Sequence, residues 1–140
     1  MRRRLLIKYF YSVAAFLFVL GCADTENTSQ TPLPGTTWNL AEMNNSKIQH
    51  PGTQVPHLRF EAEKVTGNDG CNNFSGGYTL EENSLKFGML ASTRMACPHL
   101  KDLDIEFNKM ISMTSSYRLS GNKLELYENG KLLASFLAAE

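Results

Sequence analysis

The segment Tyr78–Met89, YTLEENSLKFGM, alternates apolar and polar residues on both sides of a Glu-Glu-Asn turn. A period of two puts Tyr78 and Leu80, then Leu85, Phe87 and Met89, on one face, as in a half-buried antiparallel hairpin. The same spacing recurs at Tyr117-x-Leu119-x-x-Asn122-x-Leu124-x-Leu126. Two core hairpins share such alternation without any duplication, and on either explanation the units are β. Leu58-Arg-Phe60-Glu-Ala62 alternates too, and Trp38 with Leu40 marks an opening strand. Asn129-Gly130, between KLELYE and KLLASFL, suits a two-residue type I′ turn, whose central residues both need positive φ.

One stretch departs from this period. In PHLKDLDIEFNKMISM, Leu100, Leu103, Phe107, Met110 and Ile111 form a helical stripe, with Pro98 suited to its first turn. Asp102, Asp104 and Glu106 precede Lys109, the order the helix dipole prefers. The expected fold class is α+β and mostly antiparallel β. A curved sheet closes toward a barrel, with one packed helix.

The N-terminus, MRRRLLIKYFYSVAAFLFVLGC, places Arg2, Arg3, Arg4 and Lys8 ahead of the apolar run Tyr9–Leu20. That run is shorter than the roughly 20 residues of a membrane span and has the flanks of a secretory signal. Its end, Val19-Leu20-Gly21-Cys22, resembles the bacterial lipobox, with Leu20 larger than the residue usual there. The alternative is an ordinary signal peptide with a chance cysteine. The resemblance implies cleavage after residue 21 and lipidation of Cys22. Several buried acyl chains, at ~0.8 kcal/mol per methylene, then hold the protein on a bilayer. Ala23, in place of an aspartate, favours the outer membrane. Residues 23–34, ADTENTSQTPLP, read as a tether, and residues 35–140 as one domain. Loss of residues 1–21 leaves ten Lys/Arg against fourteen Asp/Glu, a net charge of −4. No basic stripe remains to bind nucleic acid.

Residues 67–77, GNDGCNNFSGG, set Cys71 among turn-forming residues. The glycines lack the spacing of a phosphate loop, and no lysine follows them. Metal ligands would have to come from Cys71, Cys97, His50, His57 and His99, of which only Cys97 and His99 are close in sequence. Neither a metal nor a cofactor is expected. Cys97, just before the expected helix start and near His99, could instead be a low-pKa thiol. With Cys22 acylated, two thiols remain outside the cytoplasm, where disulfides persist. Pairing of Cys71 with Cys97 is the expectation, worth about 3.5 kcal/mol in chain entropy. The alternative is two unpaired buried thiols.

The residues Trp38-x-Leu40, Leu58-x-Phe60, Val65-x-Gly67-x-x-Gly70-Cys71-Asn72-x-Phe74-x-Gly76-x-Tyr78, Leu90-Ala-Ser-Thr93-x-Met95-Ala96-Cys97, Glu106-x-x-Phe and Leu124-x-Leu126 resemble the META (HslJ-like) domain. The likeness covers residues 35–137. It implies a small antiparallel β fold with one helix, and many members are bacterial envelope lipoproteins. The family's links are to heat shock, novobiocin resistance, motility and virulence, with no defined reaction and no catalytic residue to transfer. Its signature here is Gly70, Cys71, Asn72, Gly76, Thr93, Met95, Ala96 and Cys97, for which a structural role is expected. Asn72 is expected to anchor its own turn.

The leading functional expectation is a non-enzymatic, membrane-tethered domain that supports envelope integrity or stress tolerance by binding a protein or a cell-wall component. Thiol–disulfide chemistry at Cys71 and Cys97 is the second. Ligand binding in a barrel mouth is the third, opposed by the many large residues expected inside: Trp38, Phe60, Phe74, Phe87, Phe107 and Phe136. The sequence sets no oligomeric state.

Overall fold

The computed structural model describes residues 29–49, 54–100 and 102–140. Among these residues nine strands form: β1 (Thr37–Met43), β2 (Ser46–Lys47), β3 (His57–Phe60), β4 (Lys64–Asn68), β5 (Asn73–Glu81), β6 (Ser84–Ser92), β7 (Ser116–Ser120), β8 (Lys123–Glu128) and β9 (Lys131–Ala138). Every pairing between them is antiparallel, and β1–β9 pairing closes β1 and β3–β9 into an eight-stranded barrel. The short β2 is an appendage of β1. Asn129-Gly130 makes its expected turn, with φ of 49° and 82°, and Asn44-Asn45 does the same between β1 and β2.

Three one-residue bulges bend the wall and reset which residues face inward. In β1 an extra residue between Leu40 and Glu42 lets Trp38, Leu40 and Met43 all point into the core despite their uneven spacing. In β9 the extra residue is Leu133. In β6, Gly88 and Met89 together stand opposite Gly77 alone. The alternation read from Leu85-x-Phe87-x-Met89 therefore breaks. Leu85 is buried and Phe87 half-buried, but Met89 is 97% exposed and Leu90 takes the inward place. We expect Met89→Gln to leave stability within about 0.5 kcal/mol. Leu85→Ala should cost about 3 kcal/mol. Urea melts of the two variants check both figures, and equal losses would contradict the bulge.

The barrel has one weak seam. β6 and β7 share a single paired position, Ser84 with Ser116. Helix α1 (Leu103–Met113) lies beside the rest of β6, leaving a shallow groove lined by Phe87, Leu90, Asn108 and Ile111 among others. Its apolar stripe does face the core, with Leu103, Phe107, Met110 and Ile111 buried. The Phe107 ring bridges Phe74 of β5, 5.9 Å away, and Phe136 of β9, 6.3 Å away. The helix therefore fills the gap that the seam leaves.

Three boundaries differ from expectation, the first being that of β3, which ends at Phe60 rather than at Ala62. Pro98–Leu100 is a 3-10 turn, and α1 starts only at Leu103, because Asp102 takes a left-handed conformation (φ 68°) that interrupts the helix. Thr31–Pro34, read as tether, lie against the barrel. Leu33 is buried, the Trp38 indole donates to the Leu33 carbonyl, and Thr31 N–H donates to the Gly121 carbonyl.

Candidate functional site

The signature residues gather at the end of the barrel where β4 and β6 finish. The connection from β4 to β5 is a polar turn folded almost entirely inside the protein, with Asn68, Asp69, Cys71 and Asn72 all buried. Such a turn survives burial only if its polar groups find partners. Asn68 Oδ1 accepts the Gly70 N–H at 2.7 Å, and Asn68 Nδ2 donates to Asn73 Oδ1 at 2.8 Å. Asp69 Oδ1 accepts from the N–H groups of Cys71 (2.9 Å) and Asn72 (2.6 Å). Its second oxygen accepts from Asn108 Nδ2 of α1 at 2.8 Å. Gly70 has φ +98° and is packed closely by Pro56, so both its conformation and its space favour glycine.

Asn72 does not anchor its own turn, as the sequence had suggested; Asp69 and Asn68 do that. The Asn72 side chain reaches across to the segment after β6, where its Oδ1 accepts from Thr93 Oγ1 (3.0 Å) and from the Met95 N–H (2.7 Å). Thr93 Oγ1 in turn accepts from the Asn73 N–H at 3.2 Å. Cys71 and Cys97 are disulfide-bonded across 26 residues with a Cα–Cα distance of 5.9 Å, and clamp the same segment a second time. The Cys71 sulfur also lies 3.4 Å from the Met95 carbonyl, a packing contact because a bonded sulfur has no proton to donate. Gly76 of β5 is needed for closeness, since a Cβ there would strike the Met89 carbonyl and the Leu90 side chain. Trp38 is wholly buried in the core, away from this cluster's hydrogen bonds. Met95 contributes its backbone, leaving its side chain 54% exposed, and Ala96 is exposed. Cys22 and His50 lie outside the described residues.

Asn68 and Asp69, within the Asn-, Asp- and Gly-rich stretch that reads as side-chain-capped turns, do cap this one, and Asn108, to which the sequence assigns no role, joins them from α1. The available signal was an Asx residue two or three places before each N–H it caps, in a turn. His57 Nδ1 is 2.8 Å from the Val55 carbonyl, and His99 is exposed. Among the described residues no three His, Cys, Asp or Glu side chains converge on a metal position.

A second polar cluster lies on the outer face of β7 and β8. Lys123 Nζ and Tyr127 Oη each donate to one oxygen of the Glu125 carboxylate at 2.7 Å. The Arg118 guanidinium carbon sits 5.5 Å from the centre of the Tyr127 ring. The Lys123 hydrogen bond, and after it that of Tyr127, hold the Glu125 carboxyl below the ordinary range. Hydrogen bonding to Glu125 raises Lys123 and Tyr127 above theirs. A carboxyl lowered on folding contributes stability above its unfolded value and loses it as pH falls through its folded value. We therefore expect acidification from about pH 6 to about pH 2 to lower the melting temperature of the protein more than that of Glu125→Gln. Because the Lys123 side chain is 41% exposed, the difference should stay below about 1 kcal/mol. Thermal melts at the two pH values read it, and parallel losses would show the pair to be idle.

The META domain model matches residues 31–140. A protein solved by NMR is similar at 28% identity, over 75% of this chain and 91% of its own, with a TM-score of 0.60. A protein from Burkholderia xenovorans, also solved by NMR, is similar at 20% identity over 76% and 83%, again with a TM-score of 0.60, which speaks to the fold alone. No curated protein matches the chain.

Proposed function

This chain belongs to the META domain family, and from that premise we propose that it is a lipid-anchored protein of the bacterial cell envelope, held at Cys22 on the outer membrane, which supports envelope integrity or stress tolerance by binding rather than by catalysis. The observation that carries this reading is how the signature is used. Asn72, Thr93, Cys71 and Cys97 direct their polar atoms and sulfurs at one another and at backbone, so the family's distinctive residues build a rigid body. A rigid barrel with a filled interior presents its outer face to a partner, here an envelope protein or a cell-wall component. The Thr31 N–H donates to the Gly121 carbonyl, so Thr31–Pro34 of the expected tether belong to the folded body, while residues 23–28 lie outside the described residues.

Thiol–disulfide exchange is the second reading; Cys71 is only 2% exposed, so an attacking thiolate would have to come at the half-buried Cys97 sulfur. A barrel-mouth ligand site is opposed by the rings of Phe74, Phe107 and Phe136, which meet in the interior. The anchor is tested by intact-mass analysis of the protein purified from membranes. Loss of residues 1–21 together with the added mass of acyl chains on Cys22 is the expected result, and an unmodified Cys22 removes the anchor. Crosslinking in intact envelopes tests the binding role, which fails if no partner is retrieved reproducibly.

A further inference from the structure

The register of β7 and β8 sets Arg118 directly opposite Glu125, a pairing that ordinarily forms a cross-strand ion pair. It does not form here. Glu125 is already engaged by Lys123 and Tyr127, one partner on each oxygen. Arg118 instead lies over the Tyr127 ring, and among the described residues its guanidinium has no hydrogen-bonding or ion-pair partner. Tyr127 is fixed in turn by its hydroxyl bond to Glu125. A planar cation is thus held on an aromatic base with its edge donors uncommitted, the arrangement that recognises a carboxylate bidentately.

Arg118 lines a cleft of about 250 Å³ together with Asn83, Ser116, Tyr117, Tyr127 and Gly130. The walls come from separate pieces of chain, namely the β5–β6 turn, the start of β7, the end of β8 and the β8–β9 turn. They are tied together by backbone bonds from Tyr117 N–H to the Asn83 carbonyl (3.0 Å) and from Ser115 N–H to the Tyr127 carbonyl (2.8 Å). Asn83 and Ser116 add an amide and a hydroxyl, which suit the amide and hydroxyl groups of a glycopeptide. The volume admits a sugar ring or a short peptide end and is small for a folded protein surface.

We propose that this cleft binds the carboxylate of a cell-wall glycopeptide, with Arg118 as the anion-recognising residue and Tyr127 and Glu125 as positioning residues. This rests on the envelope-binding reading above and names its ligand class. The carboxylate belongs either to the stem peptide or to an acidic sugar that carries no peptide, and the two sources are separable with simple probes.

The full chain in detergent micelles is titrated with N-acetylmuramic acid, with N-acetyl-L-alanyl-D-isoglutamine, and with neutral N-acetylglucosamine, following amide shifts of Ser116, Tyr117, Arg118 and Tyr127 by NMR. Saturable shifts with either acid and none with the neutral sugar are expected, and the acid that binds identifies the source. Arg118→Gln should weaken that binding roughly tenfold or more, because a charge-assisted pair is lost. Tyr127→Phe, which keeps the ring beside Arg118 and alters no charge, should weaken it as well. It frees a Glu125 oxygen to capture the guanidinium, an effect that a change in surface charge cannot explain because none is made. No saturable shift with either acid, or equal affinity in Arg118→Gln, overturns the proposal. Envelope crosslinking of Arg118→Gln separates this failure from that of the broader reading. Partners still captured by the variant would leave the binding role standing and the cleft refuted.

Discussion

Asp69→Ala is expected to destabilise the protein by roughly 4 kcal/mol, the cost of leaving buried donors without an acceptor. Asp69 is 1% exposed and accepts three hydrogen bonds, from Cys71 N–H, Asn72 N–H and Asn108 Nδ2. Both backbone N–H groups lie inside a buried turn, so water does not readily replace the carboxylate. Asn108 keeps a second bond to the Asp104 carbonyl at 2.7 Å and suffers less. The reverse truncation, Asn108→Ala, should therefore cost only about 1 kcal/mol. Asp69→Asn keeps the shape, but its amide nitrogen either faces the Asn108 donor or replaces the oxygen that accepts both backbone bonds, and about 2 kcal/mol is expected. Urea unfolding with an unchanged m-value reads all three. A loss below about 1 kcal/mol in Asp69→Ala would mean that water enters the turn freely.

The second large effect belongs to the disulfide. Replacing both Cys71 and Cys97 by Ala should cost about 3.5 kcal/mol, because the unfolded chain regains the freedom of a loop closed across 26 residues. Locally, the loss should be smaller than the global figure suggests. The segment after β6 stays attached through Thr93 Oγ1 and the Met95 N–H to Asn72. Adding Asn72→Ala to the cysteine-free protein should therefore release the segment, and the two losses should couple rather than add. Arg94 is exposed between these ties, so trypsin reports the release. Cleavage there should be slow in the native protein, little faster without the disulfide, and fast only when both ties are gone. Rapid cleavage on loss of the disulfide alone would show that Asn72 holds nothing.

Much of this architecture was legible in the chain. Period-two alternation found the hairpins, Asn129-Gly130 found its turn, and the Leu103, Phe107, Met110 and Ile111 spacing found the helix and its buried face. Each is a local rule, in which side-chain direction follows from residue number alone. The misreadings share one cause. Alternation points Met89 inward, yet an extra residue in β6 turns it out; Pro98 suits a helix start, yet the left-handed Asp102 delays α1 to Leu103. A single unusual backbone conformation changes the phase of everything after it, and alternation carries no mark of where that happens.

The signature cluster divides in the same way. Its glycines and cysteines stood out in the sequence as residues with a special backbone or covalent role. Asp69 and Asn108 did not, being 39 residues apart and individually ordinary surface types. What the amino-acid order determined by itself was therefore the β alternation, the helical stripe, the membership in the META family and the candidate cysteine pair, because each is written in neighbouring residues or in a residue type with few uses. Closure of the barrel, burial of the polar turn and the diversion of Arg118 from Glu125 to Tyr127 were decided only by the tertiary structure. Each depends on which distant groups compete for the same partner, and that competition exists only once the strands are side by side.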